Sequence, residues 1–320
     1  LCITSVHNSL CSTNGLIAYQ QMREAGRLRL RVGLLASGRE EELIRAIVRA
    51  GWRSGFGDEW VRLVGVEWCP DCSTSGRTAA YYTPYLGQKV LGEPEDNRGM
   101  LLYEAEDFVR RVLEAHRAGL TVCADGVGDR GIDFVLDAFE AALAACPRAD
   151  HRMRVEHCCN VTPPILDRLK RLEVVCSSAS GFAYDLGDAY IRVRGPEAMR
   201  HMWPHRSMID AGVKAPGHSD SPVCHASPLR GIHSLVTRRT GSGQDLDARE
   251  AIPLHEALEA YTTLGAWSGR EEAIKGDLAP GKLADFQILE EDLLAVPPER
   301  IPEVRVAATS VGGEAVFRRS

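Results

Sequence analysis

Two short segments of this sequence end in side chains that can bind a metal ion. Segment 154–157 (RVEH) follows a strand-like apolar pattern to His157, and the run beginning at 211 leads to Asp220 in segment 217–223 (GHSDSPV). Imidazole and carboxylate groups are common ligands in hydrolytic metal sites. Parallel strands of an α/β barrel bring their final residues together at one mouth. We therefore predict a hydrolytic metal site that includes His157 and Asp220.

The surrounding pattern is one of alternating strands and helices. Short apolar runs alternate with amphipathic stretches such as 39–50 and 104–118, where apolar residues recur at helical spacing. Gly119 is expected to end one helix, and Thr162, which precedes two prolines, to begin another. The predicted strands are 1–7, 28–35, 60–68, 120–124, 153–157, 174–177 and 213–217.

These seven strands are one short of a (β/α)8 barrel. The sequence enters a strand at Leu1, so we expect the first barrel strand to lie upstream. An open doubly wound sheet is the alternative, but no glycine-rich phosphate loop follows an early strand. We predict an α/β fold, a TIM-like barrel without its first strand, over residues 1–270.

The pattern changes after Gly276, where a turn-rich segment precedes the strand-like runs 286–289 and 304–311. The pair Gly312-Gly313 predicts a hairpin to 315–317, because paired glycines suit the tight turns that join antiparallel strands. Residues 271–320 are therefore predicted to be the C-terminal part of a β-sandwich appendage.

Composition excludes several classes of function. The 320 residues carry 38 basic and 44 acidic side chains, a net charge of −6, without the basic stripe of a nucleic-acid binder. No apolar run is long enough to span a bilayer, which argues against a membrane partner. Ten cysteines without a signal-like opening segment indicate reduced thiols, so we expect a cytoplasmic protein.

In their order and spacing, six segments resemble the amidohydrolase superfamily, specifically its large branch that includes N-substituted formamide deformylases. They are 1–8 (LCITSVHN), 75–80 (SGRTAA), 128–133 (GDRGID), 154–157 (RVEH), 219–223 (SDSPV) and 276–285 (GDLAPGKLAD). The resemblance implies a metal-dependent (β/α)8 barrel, with a β-sandwich built from both chain ends. It also implies hydrolysis of amide or related C–N bonds.

The resemblance implies a ligand set as well. In the family these ligands are a His-x-His pair on the first strand, a carboxylated lysine on the fourth, histidines on the fifth and sixth, and an aspartate on the eighth. His157 matches the sixth-strand histidine and Asp220 the eighth-strand aspartate. No His-x-His pair occurs here, while Glu67 stands at the lysine position and Asp125 at the fifth-strand histidine position.

These departures leave alternatives open for two residues. Glu67 supplies anionic oxygens on a shorter arm than a carboxylated lysine, and Asp125 is a harder ligand than imidazole. Both are predicted metal ligands beside His157 and Asp220. The alternatives are that Glu67 pairs with an arginine and that Asp125 caps the helix beginning near Gly128.

The sequence also suggests which residues transfer protons and which bind the substrate. Asp220 is the expected general base and then acid, taking a proton from water and passing it to the leaving amine. His218, Arg77 and His7 are predicted substrate-binding residues, with His7 expected to end the first visible strand and point into the mouth. The alternatives are a solvent-facing loop position for His218 and a salt bridge within the loop for Arg77.

The predicted function is hydrolysis of a C–N bond in a small-molecule amide, formamide or related compound by a metal-activated water. The expected cofactor is one or two divalent ions, with zinc preferred over manganese or iron. The rival hypotheses are a catalytically impaired barrel that serves binding or assembly, and a fragment of a longer active enzyme. A gap at the first strand would expose sheet edges, so we also expect a homo-oligomer.

Overall fold

The computed structural model describes residues 3–319, and six parallel strands form its main sheet. They pair in chain order and curl into half a barrel, which confirms the predicted α/β barrel architecture. Leu1 and Cys2, part of the first predicted strand, lie outside the described residues. The six strands are β1 Ser5–Cys11, β2 Arg31–Ser37, β3 Val61–Trp68, β4 Val122–Gly126, β5 Arg154–His157 and β6 Val175–Ser178.

Helices connect these strands and continue after the last of them. They are α1 Thr13–Glu24, α2 Glu41–Arg49, α3 Ala105–Arg117, α4 Asp129–Ala145, α5 Pro163–Arg171, α6 Ser180–Asp185, α7 Gly187–Arg194, α8 His205–Ala211, α9 Pro228–Thr237, α10 Leu254–Tyr261 and α11 Thr263–Ser268. The predicted helices 39–50 and 104–118 are confirmed as α2 and α3, each slightly shorter at both ends. Within residues 3–319, no helix is long and apolar enough to span a membrane.

The core lies between the sheet and the helices that cover it. β2 is buried at every position, as expected for a strand covered on both faces. α4 buries Ile132, Val135, Leu136 and Phe139, a stripe at helical spacing that packs on the sheet. Gly119 follows Ala118, the C-cap of α3, and has a φ of 84°, a left-handed conformation that favours glycine, so the predicted helix end is confirmed.

The predicted strand 213–217 forms only one isolated parallel bridge, between Ser178 and Gly217. It still runs beside β6, because the carbonyls of Lys214 and Pro216 accept hydrogen bonds from β6 amides at 3.0 and 2.7 Å. Pro216 has no N–H to return to β6, which interrupts a regular ladder. The prediction of a regular strand here is therefore wrong, although the chain path carries Asp220 to the expected end of the sheet.

The C-terminal residues form a separate antiparallel sheet, as predicted. Its strands are β7 Phe286–Leu289, β8 Val306–Val311 and β9 Glu314–Arg318, with β8 in the middle. Gly312 and Gly313 join β8 to β9 with φ values of 61° and 82°, the left-handed values of a tight hairpin turn. The predicted hairpin is therefore confirmed.

A buried ion pair joins this small sheet to the barrel. Arg31, the first residue of β2, donates to Asp285 through Nε at 2.6 Å and Nη2 at 3.0 Å. The two side chains are only 2% and 3% exposed. Asp285 also accepts the amide of Gly312 at 2.7 Å. The pair therefore fixes the β8–β9 hairpin against the start of β2.

A second buried carboxylate joins the loop after β3 to the end of β4. Asp71 accepts hydrogen bonds from three backbone N–H groups, those of Ala80 at 3.1 Å, Val127 at 2.9 Å and Gly128 at 3.0 Å. Burial raises the pKa of Asp71 to about 7, against the opposing effect of these donors. A Cβ at Gly131 of α4 would lie 2.2 Å from Asp71 Oδ2, so only glycine permits this approach.

Asp285→Ala should lower the free energy of unfolding by about 3–5 kcal/mol, because it leaves a buried guanidinium without its counter-ion. Urea unfolding measured by circular dichroism tests this. The matched control is Asp277→Ala in the same segment, whose partner Lys282 forms an exposed pair with it. Equal transition midpoints for the two variants would contradict the structural role of Asp285.

Asp71→Ala should lower the free energy of unfolding by about 3 kcal/mol or more, because three buried N–H groups lose their acceptor. Asp71→Asn is the matched control. Its oxygen can replace Oδ2, which serves both Ala80 and Gly128, so it should lose less than half as much. The test is again urea unfolding measured by circular dichroism. An unfolding midpoint for Asp71→Ala equal to that of the wild type would show that Asp71 does not stabilise the contact between the loop after β3 and the end of β4.

Candidate functional site

The predicted ligands lie at the C-terminal end of the parallel sheet. Glu67, Asp125 and His157 stand at or near the ends of β3, β4 and β5, and Asp220 follows the segment beside β6. Glu67 is 1% and Asp125 5% exposed, so both carboxylates are buried. The described residues thus bring the candidates from four places in the sequence to one end of the barrel.

His157 reaches this site because the backbone departs from strand geometry. Asp125 pairs with Glu156 in the β4–β5 register, so regular alternation would turn His157 toward the other face of the sheet. Instead His157 and Cys158 have φ values of 64° and 41°. These left-handed conformations are rare for residues other than glycine. The turn leaves His157 Nε2 3.7 Å from Asp125 Oδ1.

Two rings hold the imidazole in this orientation. Phe182 of α6 stacks on His157 with 5.6 Å between ring centroids and 22° between planes, and His218 lies 5.2 Å away. Burial lowers the pKa of His157, but the carboxylates of Asp125, Asp220 and Glu156 outweigh it and raise that pKa to about 10. His157 is therefore surrounded by negative charge.

The carboxylates at this end of the barrel repel one another. Burial and the neighbouring Asp125 and Glu156 raise the pKa of Glu67 well above its usual range. Burial also raises the pKa of Asp220, although His157 opposes the shift. Asp125 Oδ1 is buried without a hydrogen-bond partner. Several buried carboxylates in one place favour the presence of a positive charge between them.

Neither alternative for the two substituted ligand positions matches the contacts. The partner of Glu67 is the backbone amide of Leu10, which donates to Oε2 at 2.7 Å, rather than an arginine. α4 begins after Gly128 without a side-chain cap, so Asp125 does not cap it. One oxygen of Glu67 is therefore engaged, whereas Asp125 Oδ1 is available for a ligand.

His7 lies deeper in the barrel than expected. It is the third residue of β1, which continues to Cys11, so the prediction that it ends the strand is wrong. Its Nδ1 is 3.1 Å from Arg154 Nη1. A Cβ at Gly33 or Gly269 would lie 2.6 Å from the imidazole ring, so the two glycines leave room for it. Burial, with Arg154 and Lys275, lowers the pKa of His7 to about 3.

The other two predicted substrate-binding residues differ in whether their side chains are free to contact a substrate. Arg77 is bound within its own loop, where it donates to Glu93 at 2.6–2.8 Å and to the Leu86 carbonyl at 2.6 Å. Its hydrogen bonds lower the pKa of Glu93 to about 2. This is the salt-bridge alternative. His218 instead faces the site, and its buried Nε2 has no hydrogen-bond partner.

Sequence reasoning missed one buried ion pair beneath the site. Arg154 donates to both oxygens of Glu156 at 2.6 and 2.9 Å, and both residues face the barrel interior. Arg154 holds the pKa of Glu156 at about 2 against the effect of burial. The alternating spacing of the two residues on β5 is the sequence signal, since positions i and i+2 of a strand share a face.

A metal ion fits part of this arrangement. Ligands about 2.1 Å from one zinc ion at tetrahedral angles stand roughly 3.4 Å apart, close to the 3.7 Å between His157 Nε2 and Asp125 Oδ1. Among residues 3–319, however, no three histidine, cysteine, aspartate or glutamate side chains are grouped closely enough to hold an ion. Two donors are thus in place, and Asp220 and Glu67 lie nearby.

Known proteins resemble this chain in sequence. N-substituted formamide deformylase from Arthrobacter pascens is 30% identical over 243 residues, covering 75% of this chain and 44% of that protein. Putative amidohydrolase YtcJ from Bacillus subtilis is 26% identical over 253 residues, 78% of this chain and 46% of that protein. The chain therefore spans a little under half the length of these relatives.

Solved structures share the fold. An uncharacterized metal-dependent hydrolase from Pyrococcus horikoshii OT3 superposes with a TM-score of 0.78 at 25% identity, covering 92% of this chain and 57% of that one. Ochratoxinase from A. niger has a TM-score of 0.61 at 15% identity over 98% of this chain and 72% of its own, which shows the fold alone. The sequence profile of the amidohydrolase family matches residues 2–317, and the chain belongs to that family.

Proposed function

We propose that this chain carries a metal-dependent hydrolytic site that cleaves the C–N bond of a small amide, formamide or related molecule. The observation that carries the proposal is the buried Asp125 Oδ1, which has no hydrogen-bond partner and faces His157 Nε2 at 3.7 Å. A buried carboxylate oxygen without a donor is costly unless a cation or a water satisfies it. Membership of the amidohydrolase family supports the same proposal.

We assign His157 and Asp125 as the first two ligands, with Asp220 and Glu67 completing the set. Zinc is the preferred ion because a histidine and carboxylates are all within its usual ligand range. Three carboxylates to one imidazole form a harder set than the family's histidine-rich one, which makes manganese or iron the alternatives. When bound, the ion supplies a water of lowered pKa and polarisation of the scissile carbonyl.

The residues of the chain then provide proton transfer and orientation. Asp220 accepts a proton from the attacking water and donates it to the leaving nitrogen. Burial raises the pKa of Asp220, which suits a group that must both accept and release a proton. His218, whose Nε2 has no partner, is positioned to hydrogen-bond the substrate. Phe182 keeps water from one face of His157 by stacking on it.

A second candidate is a catalytically impaired barrel that serves binding or assembly. Two observations favour it, and the first is that, in the described part of the chain, no three potential ligands gather closely enough to hold an ion. The engagement of Glu67 Oε2 by the Leu10 amide points the same way. Metal content separates the two candidates directly.

The test is metal analysis of the purified chain by plasma mass spectrometry, with His157→Ala, Asp125→Asn and Asp220→Asn. We expect about one zinc, manganese or iron ion per chain, reduced at least tenfold in each variant because each removes a ligand. The matched control is His255→Ala, an exposed histidine of α10. Metal-loaded chain would then be screened against amides, formamides and ureas.

Metal at background level in the wild type, or metal retained in all three variants, would reject the hydrolytic site and favour the binding or assembly barrel. Loss of metal in the His255→Ala control would show that the variants act through general instability. A circular dichroism melt of every variant distinguishes that case from ligand loss.

A further inference from the structure

Two cysteines stand three residues apart where the chain leaves β3. Segment 69–72 (CPDC) directly follows the strand, and the backbone bends at Pro70 and Asp71. The Cys69 thiol donates to the carbonyl of Asp71 at 3.0 Å, and a hydrogen bond also joins the thiols of Cys69 and Cys72. The two sulfur atoms are therefore already close together in the folded chain.

Hydrogen bonds within and after the segment hold this bend in place. The Pro70 carbonyl accepts the Leu102 amide at 2.8 Å, and the Asp71 carboxylate accepts three backbone amides. Directly after the segment, the Ser73 carbonyl accepts the Thr78 amide at 2.9 Å. The backbone is thus fixed with the two thiols in contact, which is the starting geometry that a disulfide requires.

Exposure distinguishes this pair from a second close pair of thiols, Cys158 and Cys176. The Cys176 thiol lies 3.9 Å from the Cys158 carbonyl and contacts the Cys158 thiol, but both residues are 0% exposed. Cys72 is partly exposed, whereas Cys69 behind it is 6% exposed. A dissolved oxidant can therefore reach Cys72, but it cannot reach Cys158 or Cys176 in the folded chain.

The surroundings of Cys72 set the conditions under which it reacts. Burial raises the pKa of this thiol, while its hydrogen bond with Cys69 and the nearby Arg39 guanidinium oppose the shift. The thiolate is the form that attacks a disulfide. Because the pKa of Cys72 stays above its ordinary value, we expect exchange to be faster at mildly alkaline pH than at neutrality.

We propose that Cys69 and Cys72 form a reversible disulfide by exchange with a small-molecule disulfide such as oxidised glutathione. The Cys72 thiolate attacks one sulfur of the small disulfide, whose S–S bond breaks and releases one thiol. The Cys69 thiolate then attacks the Cys72 sulfur, which forms the protein disulfide and releases the second small thiol. The protein thiols thus lose two electrons and two protons, and the small disulfide gains both.

The short spacing makes this disulfide easy to reduce again. Closing so short a loop removes little entropy from the unfolded chain, so the bond adds little stability to the fold. The inference does not depend on the proposed hydrolytic function, because thiol chemistry alone tests it.

The test is incubation of the folded chain at pH 8 with graded ratios of reduced and oxidised glutathione, followed by alkylation of the free thiols and peptide mass spectrometry. We expect a disulfide between Cys69 and Cys72, at least half formed in oxidised glutathione alone and fully reversed by dithiothreitol. Cys158 and Cys176 should remain thiols throughout. Pairing of Cys69 or Cys72 with any other cysteine would overturn the inference, as would disulfide formation only in urea.

Two variants test the order of the steps. Cys69→Ser should accumulate a mixed disulfide with glutathione at Cys72, because the second attack is blocked. Cys72→Ser should carry at least tenfold less glutathione at Cys69, because that thiol is buried. The matched control is Cys146→Ser, which removes another partly exposed cysteine and should leave the Cys69–Cys72 disulfide unchanged.

A circular dichroism melt of each variant confirms that the reactions are those of folded chains. Equal glutathione incorporation in folded Cys69→Ser and Cys72→Ser would contradict the assignment of Cys72 as the attacking thiol. Loss of the Cys69–Cys72 disulfide in folded Cys146→Ser would show that the pair does not react alone.

Discussion

The candidate site depends on a left-handed turn of the backbone at the end of β5. A regular strand would direct His157 away from Asp125, because successive side chains alternate between the faces of a sheet. The positive φ values of His157 and Cys158 bring the imidazole to the same side as Asp125 and Glu156. Each such residue other than glycine costs about 1–2 kcal/mol, so packing around the turn must stabilise it. The stacked Phe182 ring and the hydrogen bond from the Ala179 amide to the His157 carbonyl at 2.9 Å provide that support.

Charge is the second constraint. Three carboxylates, those of Glu67, Asp125 and Glu156, are buried in or near the barrel interior. Arg154 neutralises Glu156 through two hydrogen bonds, and the Leu10 amide stabilises Glu67. Within residues 3–319, Asp125 Oδ1 accepts no hydrogen bond and faces His157 Nε2 at 3.7 Å. Because burial disfavours an unpaired carboxylate, Asp125 depends on this contact with His157 or on a bound cation for compensating positive charge.

Sequence patterns predicted the strands well where a period of two or a run of buried residues was clear, as in β3 and β5. They also predicted that His157 and Asp220 lie at the same end of the barrel. They failed where a backbone or tertiary detail decides the outcome. Pro216 interrupts the ladder beside β6, and β1 continues four residues beyond His7. The role of Asp71 in joining two segments was not predictable, since its three partners are backbone amides and two of them lie more than fifty residues away in the sequence.

The backbone at the site favours the hydrolytic proposal over a barrel kept for binding alone. His157 and Asp220 both have positive φ, at 64° and 52°, although neither is glycine. Strained conformations of this kind persist where the surrounding structure fixes them, and they are concentrated at functional sites. These conformations place an imidazole and a carboxylate beside the buried Oδ1 of Asp125, which are the groups that the hydrolytic proposal requires.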